Sequence, residues 1–299
     1  MRQTDLFTHR HILQAREISM TNDPSAHHTA SSSPDVDPLQ DERTETAGGA
    51  AVDGNIHVGY WDSATDDRSL DQATDRLTDL VAGRLAAAPG RRLLDVGCGT
   101  GRPALRIARA TGAQVSGISV SHEDIDLART RADAAGLADR VDFRYADARA
   151  LPFDAASFDG AWAIESMMHI GDRTAALTEI ARTLRPGSPL VITDVLLRSP
   201  VTGDAAELVR RTCRAFQSPS FPEPGELRTA LDRAGLEVVD FDDIGERVRR
   251  TYQAFADAFG DIEPSADDPH YAFFNSTRSL PRFGALPQVG YVFLVARRR

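Results

Sequence analysis

The chain has 299 residues, 41% of them hydrophobic, and a formal net charge of −10 at pH 7; that length holds one large α/β domain with appendages or two small domains. No apolar run approaches the ~20 residues that span a bilayer, and Arg10, His11, Arg16 and Glu17 interrupt any signal-like core at the N-terminus. Those two features make a cytoplasmic setting the expectation; the acidic balance disfavours nucleic acid and anionic lipid as partners and favours a small-molecule substrate.

Cys98 falls in a glycine-rich turn and Cys213 in a helical stretch. A disulfide between them is not expected, and a reducing compartment fits. Arg249-Arg250 and the Arg297–Arg299 tail are too short to reverse the charge balance and read as solvated surface.

Residues 1–55 differ from the rest. They carry His27-His28, Ser31-Ser32-Ser33-Pro34, acids from Asp35 to Glu45 and Gly48-Gly49, with Phe7 as their one aromatic residue. Such a segment buries too little apolar area to offset its chain entropy, so it is predicted to be a disordered extension. A turn or two of helix is possible over Ile12–Ile18, and Met20 is a second candidate start. One folded domain is expected over 56–299, beginning near Asn55–Trp61.

Ser69 opens a helix, with Gln72 at the reciprocal capping-box position. Leu70, Ala73, Leu77, Leu80, Val81 and Ala88 recur at helical spacing until Pro89-Gly90. From there strands are predicted at Arg92–Val96, Gln114–Ser119, Val141–Tyr145, Gly160–Ile164 and Leu190–Val195. Helices fall between them at about 102–110, 122–135 and 172–184, the second capped by Ser121. This rhythm predicts a parallel sheet covered by helices on both faces, with the loops after each strand gathered along one ligand-binding edge. Further on, helices are expected at about 204–216, 226–234 and 245–258. Strands are expected at Leu236–Phe241 and Gly290–Ala296, with a long proline-containing loop before the last.

The strongest chemical signal is Asp95-Val96-Gly97-Cys98-Gly99-Thr100-Gly101, directly after a strand and before a helix. Glycines there let backbone approach a ligand and adopt positive φ. A dinucleotide loop needs G-x-G-x-x-G, whereas the third glycine here comes one residue early. Asp95 at the strand end suits a cationic group, and S-adenosylmethionine (SAM) carries an ammonium and a sulfonium and no phosphate.

Asp95–Gly101, Ser119-Val120-Ser121, Asp147-Ala148, Leu151-Pro152-Phe153, Ser157-Phe158-Asp159 and Leu184-Arg185-Pro186-Gly187 follow the order of class I SAM-dependent methyltransferases, which the chain resembles. More narrowly, His57-x-Gly59-Tyr60-Trp61 and Trp162-Ala163-x-Glu165-Ser166-x-x-His169 resemble actinobacterial natural-product O-methyltransferases of sugars and macrolides, the rebeccamycin sugar O-methyltransferases among them.

The resemblance implies a Rossmann-like α/β fold, its seven-stranded sheet mostly parallel and its last strand antiparallel. Helical cap inserts are implied around 196–230 and 245–287. It implies that SAM is held by Gly97, Gly99 and Gly101, supported by Asp95. Ser119 stands where the family usually has an acid for the ribose, and Asp124 stands where similar proteins have Gln; both are ribose candidates. Asp147 and Ala148 fall at the adenine position, and Tyr60 and Glu165 complete the cofactor set. The aromatic helix that precedes His-x-Gly-Tyr in such proteins is replaced here by small, polar Thr44–Asp53.

His169 and Asp194, after the fourth and fifth strands, are the catalytic candidates. A histidine titrates near neutrality and suits removal of a hydroxyl proton, and a carboxylate bonded to it would fix its tautomer. No metal is expected: Asp240, Asp242 and Asp243, and likewise Asp267, Asp268 and His270, read as solvated turns. Phe255, Phe259, Tyr271, Phe273 and Phe274 line a substrate pocket or fill the core beneath a cap. The implied function is O-methylation of a small natural product, a glycoside or macrolide. The rivals are C-methylation of a prenyl or terpenoid alkene, with Glu165 and Trp162 stabilising a cation, a SAM-binding cyclase that no longer methylates, and a regulatory SAM-binding subunit.

Overall fold

The computed structural model describes residues 57–259 and 276–299. The expected disordered extension, the Thr44–Asp53 stretch, Asp267, Asp268, His270, Tyr271, Phe273 and Phe274 lie outside the described residues, as does the side chain of Phe259.

Helix α1 spans Leu70–Arg84. Its capping box is formed as expected: Gln72 N donates to Ser69 Oγ at 3.3 Å and Ser69 N donates to Gln72 Oε1 at 2.9 Å. The helix stops short of Ala88, and Ala86 just beyond its end has φ +49°, off the helical path. Then follow β1 (Arg92–Val96), α2 (Arg102–Thr111), β2 (Gln114–Ser119), α3 (His122–Ala134), β3 (Val141–Tyr145) and β4 (Gly160–Ile164). A 3-10 turn, Met167–His169, precedes α4 (Arg173–Thr183) and β5 (Pro189–Leu197). The last part holds α5 (Gly203–Ala215), α6 (Pro224–Arg233), β6 (Leu236–Asp243), α7 (Gly245–Val248), α8 (Arg250–Phe259), α9 (Leu280–Gly284) and β7 (Val289–Arg298). The helix expected at 245–258 is thus two, and α9 lies within the stretch read as loop.

The seven strands form one sheet in the order β3-β2-β1-β4-β5-β7-β6, with β7 antiparallel to both neighbours. Alternate side chains serve opposite faces. Leu93 joins Leu77, Val81 and Ile107 in one core, while Leu94 joins Phe158, Leu177 and Ile180 in the other. Strands covered on both sides read as continuous apolar runs, and β5 is buried along all but its last residue.

The chain leaves β1 toward β2 and β3 on one side, then returns to place β4 on the other. Ligands of open α/β sheets bind at such a reversal, beyond the carboxyl ends of the strands. No described helix is long and apolar enough to cross a membrane. Two surface readings change. The arginine tail is tied into the fold, with Arg297 Nη1 donating to Gly187 O at 2.9 Å and Arg299 paired with Asp232 at 2.5 Å. Asp240 and Asp243 are ion-paired with Arg84 and Arg198 at 2.9 and 2.5 Å.

Candidate active site

The glycine loop leaves β1 at the reversal point. Gly97 N and Cys98 N both donate to Ile118 O, at 2.9 and 2.8 Å, which anchors the loop on β2. Gly97, Gly99 and Gly101 have φ of +78°, +47° and +83°. Two of them face the protein itself: a Cβ on Gly97 would meet Ser166 Cβ at 2.3 Å, and one on Gly101 would meet Phe143 Cζ at 2.6 Å. Asp95 is buried beneath the loop, with Oδ2 bonded to nothing among the described residues. Burial pushes its pKa well up. The indole of Trp162, its neighbour on β4, favours the charged form, and its Nε1 likewise has no hydrogen-bond partner among the described residues.

Across the reversal point, β4 is followed directly by Glu165, which has φ +48°. A non-glycine residue in that region costs about 1–3 kcal/mol and is kept where the surroundings demand it. Its Oε1 accepts from Val58 N at 2.8 Å and from the Tyr291 hydroxyl at 2.9 Å. Burial raises its pKa to about 7 against those two donors. Asp194, on β5, is 3% exposed. Burial, and then the charge of Glu165, raise its pKa to about 8. Asp95, Glu165 and Asp194 form no ion pair among the described residues.

The His57–Trp61 strap crosses this edge. His57 is buried, donating from Nδ1 to Val58 O at 2.9 Å and accepting at Nε2 from the Thr78 hydroxyl at 3.3 Å. Burial lowers its pKa to about 4, so it is a neutral structural histidine. Gly59 N donates to Thr251 Oγ1 and Trp61 N to Arg247 O, so the strap is stitched to α7 and α8. Tyr60 is half-buried against the core, and Arg250 lies over the Trp61 ring at 4.8 Å.

His169 and Asp194 converge on one turn but are not hydrogen-bonded to each other, which corrects the expected direct pair. Asp194 Oδ2 accepts from Met168 N at 2.8 Å and Oδ1 from Val195 N at 2.9 Å, so backbone amides occupy the carboxylate. Asp194 therefore holds the turn that carries His169. From the far side, Ser218 Oγ donates to Met168 O at 2.8 Å. His169 is solvent-exposed at this rim. Crowding by the surrounding chain still pushes its pKa below the ordinary 6.5, while the carbonyls of Gln217 and Phe216 act the other way.

On the β2 side, Ser119 is buried and accepts from Ser121 N at 3.2 Å. Ser121 Oγ in turn caps α3 by accepting from Asp124 N at 3.1 Å. Asp124 is 7% exposed. Its charge and that of Asp95 both raise the Cys98 thiol pKa, after burial, so the two carboxylates flank the loop. Asp147 is half-exposed and paired with Arg149 at 2.6 Å; burial opposes, but Arg149 holds its pKa below the usual value. Ala148 is buried beside it. Both cysteines are free.

Residues 93–187 match the model of a methyltransferase domain. The 27-O-demethylrifamycin SV methyltransferase of Amycolatopsis mediterranei is 40% identical over 82% of this chain and 90% of its own. O-methyltransferase resE of Aspergillus sclerotiorum is 38% identical over 82% and 90%. The chain belongs to the class I SAM-dependent methyltransferases. Among solved structures, the [4+2]-cyclase SpnF superposes on this methyltransferase with a TM-score of 0.74 at 34% identity, covering 87% of this chain and 94% of that one.

Sequence reasoning missed Val58, Tyr291 and Ser218 in this methyltransferase. A backbone amide has no signature in sequence, and Tyr291 and Ser218 reach the site from β7 and from the segment after α5. Trp162, weighed for cation stabilisation, is 0% exposed within the core and cannot face an alkene.

Proposed function

We propose that this methyltransferase transfers the methyl group of SAM to a hydroxyl of a small natural product of glycoside or macrolide type, in the cytoplasm. The observation that carries the cofactor site is the set of three carboxylates along this edge, buried Asp95 and Asp194 and half-buried Glu165, none of them ion-paired among the described residues. Buried charge without a paired counter-charge is costly; Arg173 acts on Asp194 without a salt bridge, and SAM supplies an ammonium and a sulfonium. In this reading Asp95, the Gly97–Gly101 loop, Tyr60 and Glu165 hold the methionine end. Ser119 and Asp124 take the ribose, and Asp147 and Ala148 the adenine. The helices after β5 and β6 cap the acceptor.

When bound, SAM supplies the methyl group and a neutral thioether leaving group. His169 removes the hydroxyl proton, and its lowered pKa keeps it neutral and ready as a base at pH 7. Asp194 fixes the turn and so the reach of the imidazole. The acceptor class is supported by the relative named for 27-O-demethylrifamycin SV.

The test is calorimetry with SAM, then incubation with a panel of O-demethylated macrolides, ansamycins and glycosides. S-adenosylhomocysteine together with a methylated product is the expected result. The likeness to a [4+2]-cyclase favours one alternative, SAM held without turnover. SAM binding, no S-adenosylhomocysteine, and a rearranged product of unchanged mass would replace the first reading with that one.

A further inference from the structure

Tyr291 is fully buried on β7 and reaches across β5 to the end of β4. Its hydroxyl donates to Glu165 Oε1 at 2.9 Å and lies 3.4 Å from Thr193 Oγ1. Val58 N of the strap takes the same oxygen at 2.8 Å. Both donors thus use Oε1, and Oε2 makes no hydrogen bond with the described residues and is not among their buried unpartnered atoms. Glu165 N donates to Thr193 O at 2.8 Å, and the next residue, Ser166, donates from Oγ to Val96 O at the start of the glycine loop. A carboxylate so held presents one oxygen to the protein and the other to the edge where the loop begins.

We propose that Tyr291 is a positioning residue for the cofactor, acting through Glu165: with Val58 it occupies Oε1 and leaves Oε2, charged, for the cationic end of SAM. This rests on the cofactor site described above. The groups facing Glu165 are Asp194 on β5, Tyr252 on α8 and Tyr291 itself, with His57 neutral on the strap. None of them is a cation. The two hydrogen-bond donors are therefore what favours the charged carboxylate against burial.

Removing one donor raises the proton affinity of Glu165, so cofactor affinity falls where protons compete and recovers where they do not. Losing one hydrogen bond to a charged group is about a ten-fold effect. S-adenosylmethionine titrated calorimetrically into the full chain and into Tyr291→Phe should show a variant about ten-fold weaker at pH 6. The gap should close to under about two-fold by pH 9, with a melting temperature close to the parent's. Glu165→Gln should abolish that pH dependence, and adding Tyr291→Phe to it should cost nothing more.

Equal affinity at every pH would overturn the proposal, as would a constant loss at every pH, which is what a merely structural role gives. If Tyr291→Phe does not fold, Thr193→Val, which loosens the hydroxyl without removing it, carries the same test with a smaller gap. No SAM binding by the parent would remove the cofactor reading itself, a result distinct from a parent that binds and a variant that matches it.

Discussion

On one side of the sheet reversal, the glycine loop, Ser119 and Asp124 lie within a single strand-helix-strand-helix stretch and are held by backbone geometry and helix capping. On the other side, Val58, Glu165, Thr193, Asp194, Ser218 and Tyr291 come from widely separated segments and meet through buried and half-buried hydrogen bonds around two carboxylates. The first side depends on shape, because a side chain in the wrong place collides. The second depends on charge, because an isosteric change leaves the packing and alters protonation. Substitutions on the two sides should therefore fail in different ways.

The largest effect is expected from Gly97→Val. Its Cβ would fall 2.3 Å from Ser166 Cβ, at a φ of +78° that branched residues avoid. Overpacking costs about 1–3 kcal/mol and the left-handed backbone about 1–2 kcal/mol more. Calorimetry should find no SAM binding, and the thermal melt should fall clearly below the parent's. A variant that binds SAM normally breaks the claim that shape governs this side.

Next is His169→Ala, which should lower turnover by ~10²–10⁴, the usual contribution of a general base, while SAM affinity is kept. The rate should rise with pH along a limb centred below 6.5, since the site lowers the imidazole pKa. Near-parent turnover on the true acceptor would move the hydroxyl's proton to solvent and remove His169 from the mechanism.

The third prediction concerns the ligand-free protein. Glu165 and Asp194 have folded pKa values near 7 and 8, raised by burial and, for Asp194, by the charge of Glu165 as well. The folded state then holds protons that the unfolded chain has released, so this contribution to stability is full below about pH 4 and is lost as pH rises through 7 to 8. His57 acts oppositely, with a folded pKa of about 4, and costs stability as pH falls below 6.5. The melting temperature of the free protein should therefore peak on the acid side of neutrality and fall between pH 6.5 and 8.5. Glu165→Gln should flatten the fall, and saturating SAM should offset it. A melt that rises across that window would contradict the buried-carboxylate account.

The same division explains what could be read from the sequence. The bounds of β1 to β4 and the Ser69 and Ser121 caps are visible because strand alternation and capping are local rules. Asp95 and the glycines are visible because a loop that needs positive φ spells itself in one run of residues. Tyr291 and Glu165 are far apart in sequence and related only by the antiparallel return of β7, which no local pattern encodes. Helix α9 was hidden because Pro281, read as a loop marker, sits in its first turn, where a missing N–H costs nothing. The expected His169–Asp194 bond assumed that neighbouring functional groups bond each other; two backbone amides reach Asp194 first.

The smallest effect sharpens the comparison most. Met168 is gripped through both of its backbone groups, its N–H by Asp194 Oδ2 and its carbonyl by Ser218 Oγ, each at 2.8 Å. Ser218 is buried after α5, among the segments proposed to cap the acceptor, and its side chain also bonds the Ser220 carbonyl at 3.3 Å. Among the described residues it makes no hydrogen bond to Asp95, the glycine loop or Glu165, so its removal reaches the chemistry only through the turn that carries His169. Ser218→Ala forfeits one neutral hydrogen bond, about 1 kcal/mol, and should lower kcat several-fold with SAM affinity unchanged. Asp194→Asn, which replaces an acceptor at one of two amides with a donor, should lower kcat further, and the two changes combined should fall short of additive because both act on the backbone of one residue. An equal loss of SAM affinity in Ser218→Ala would mean that the two sides of the reversal are mechanically joined, and the division between shape and charge would have to be redrawn there.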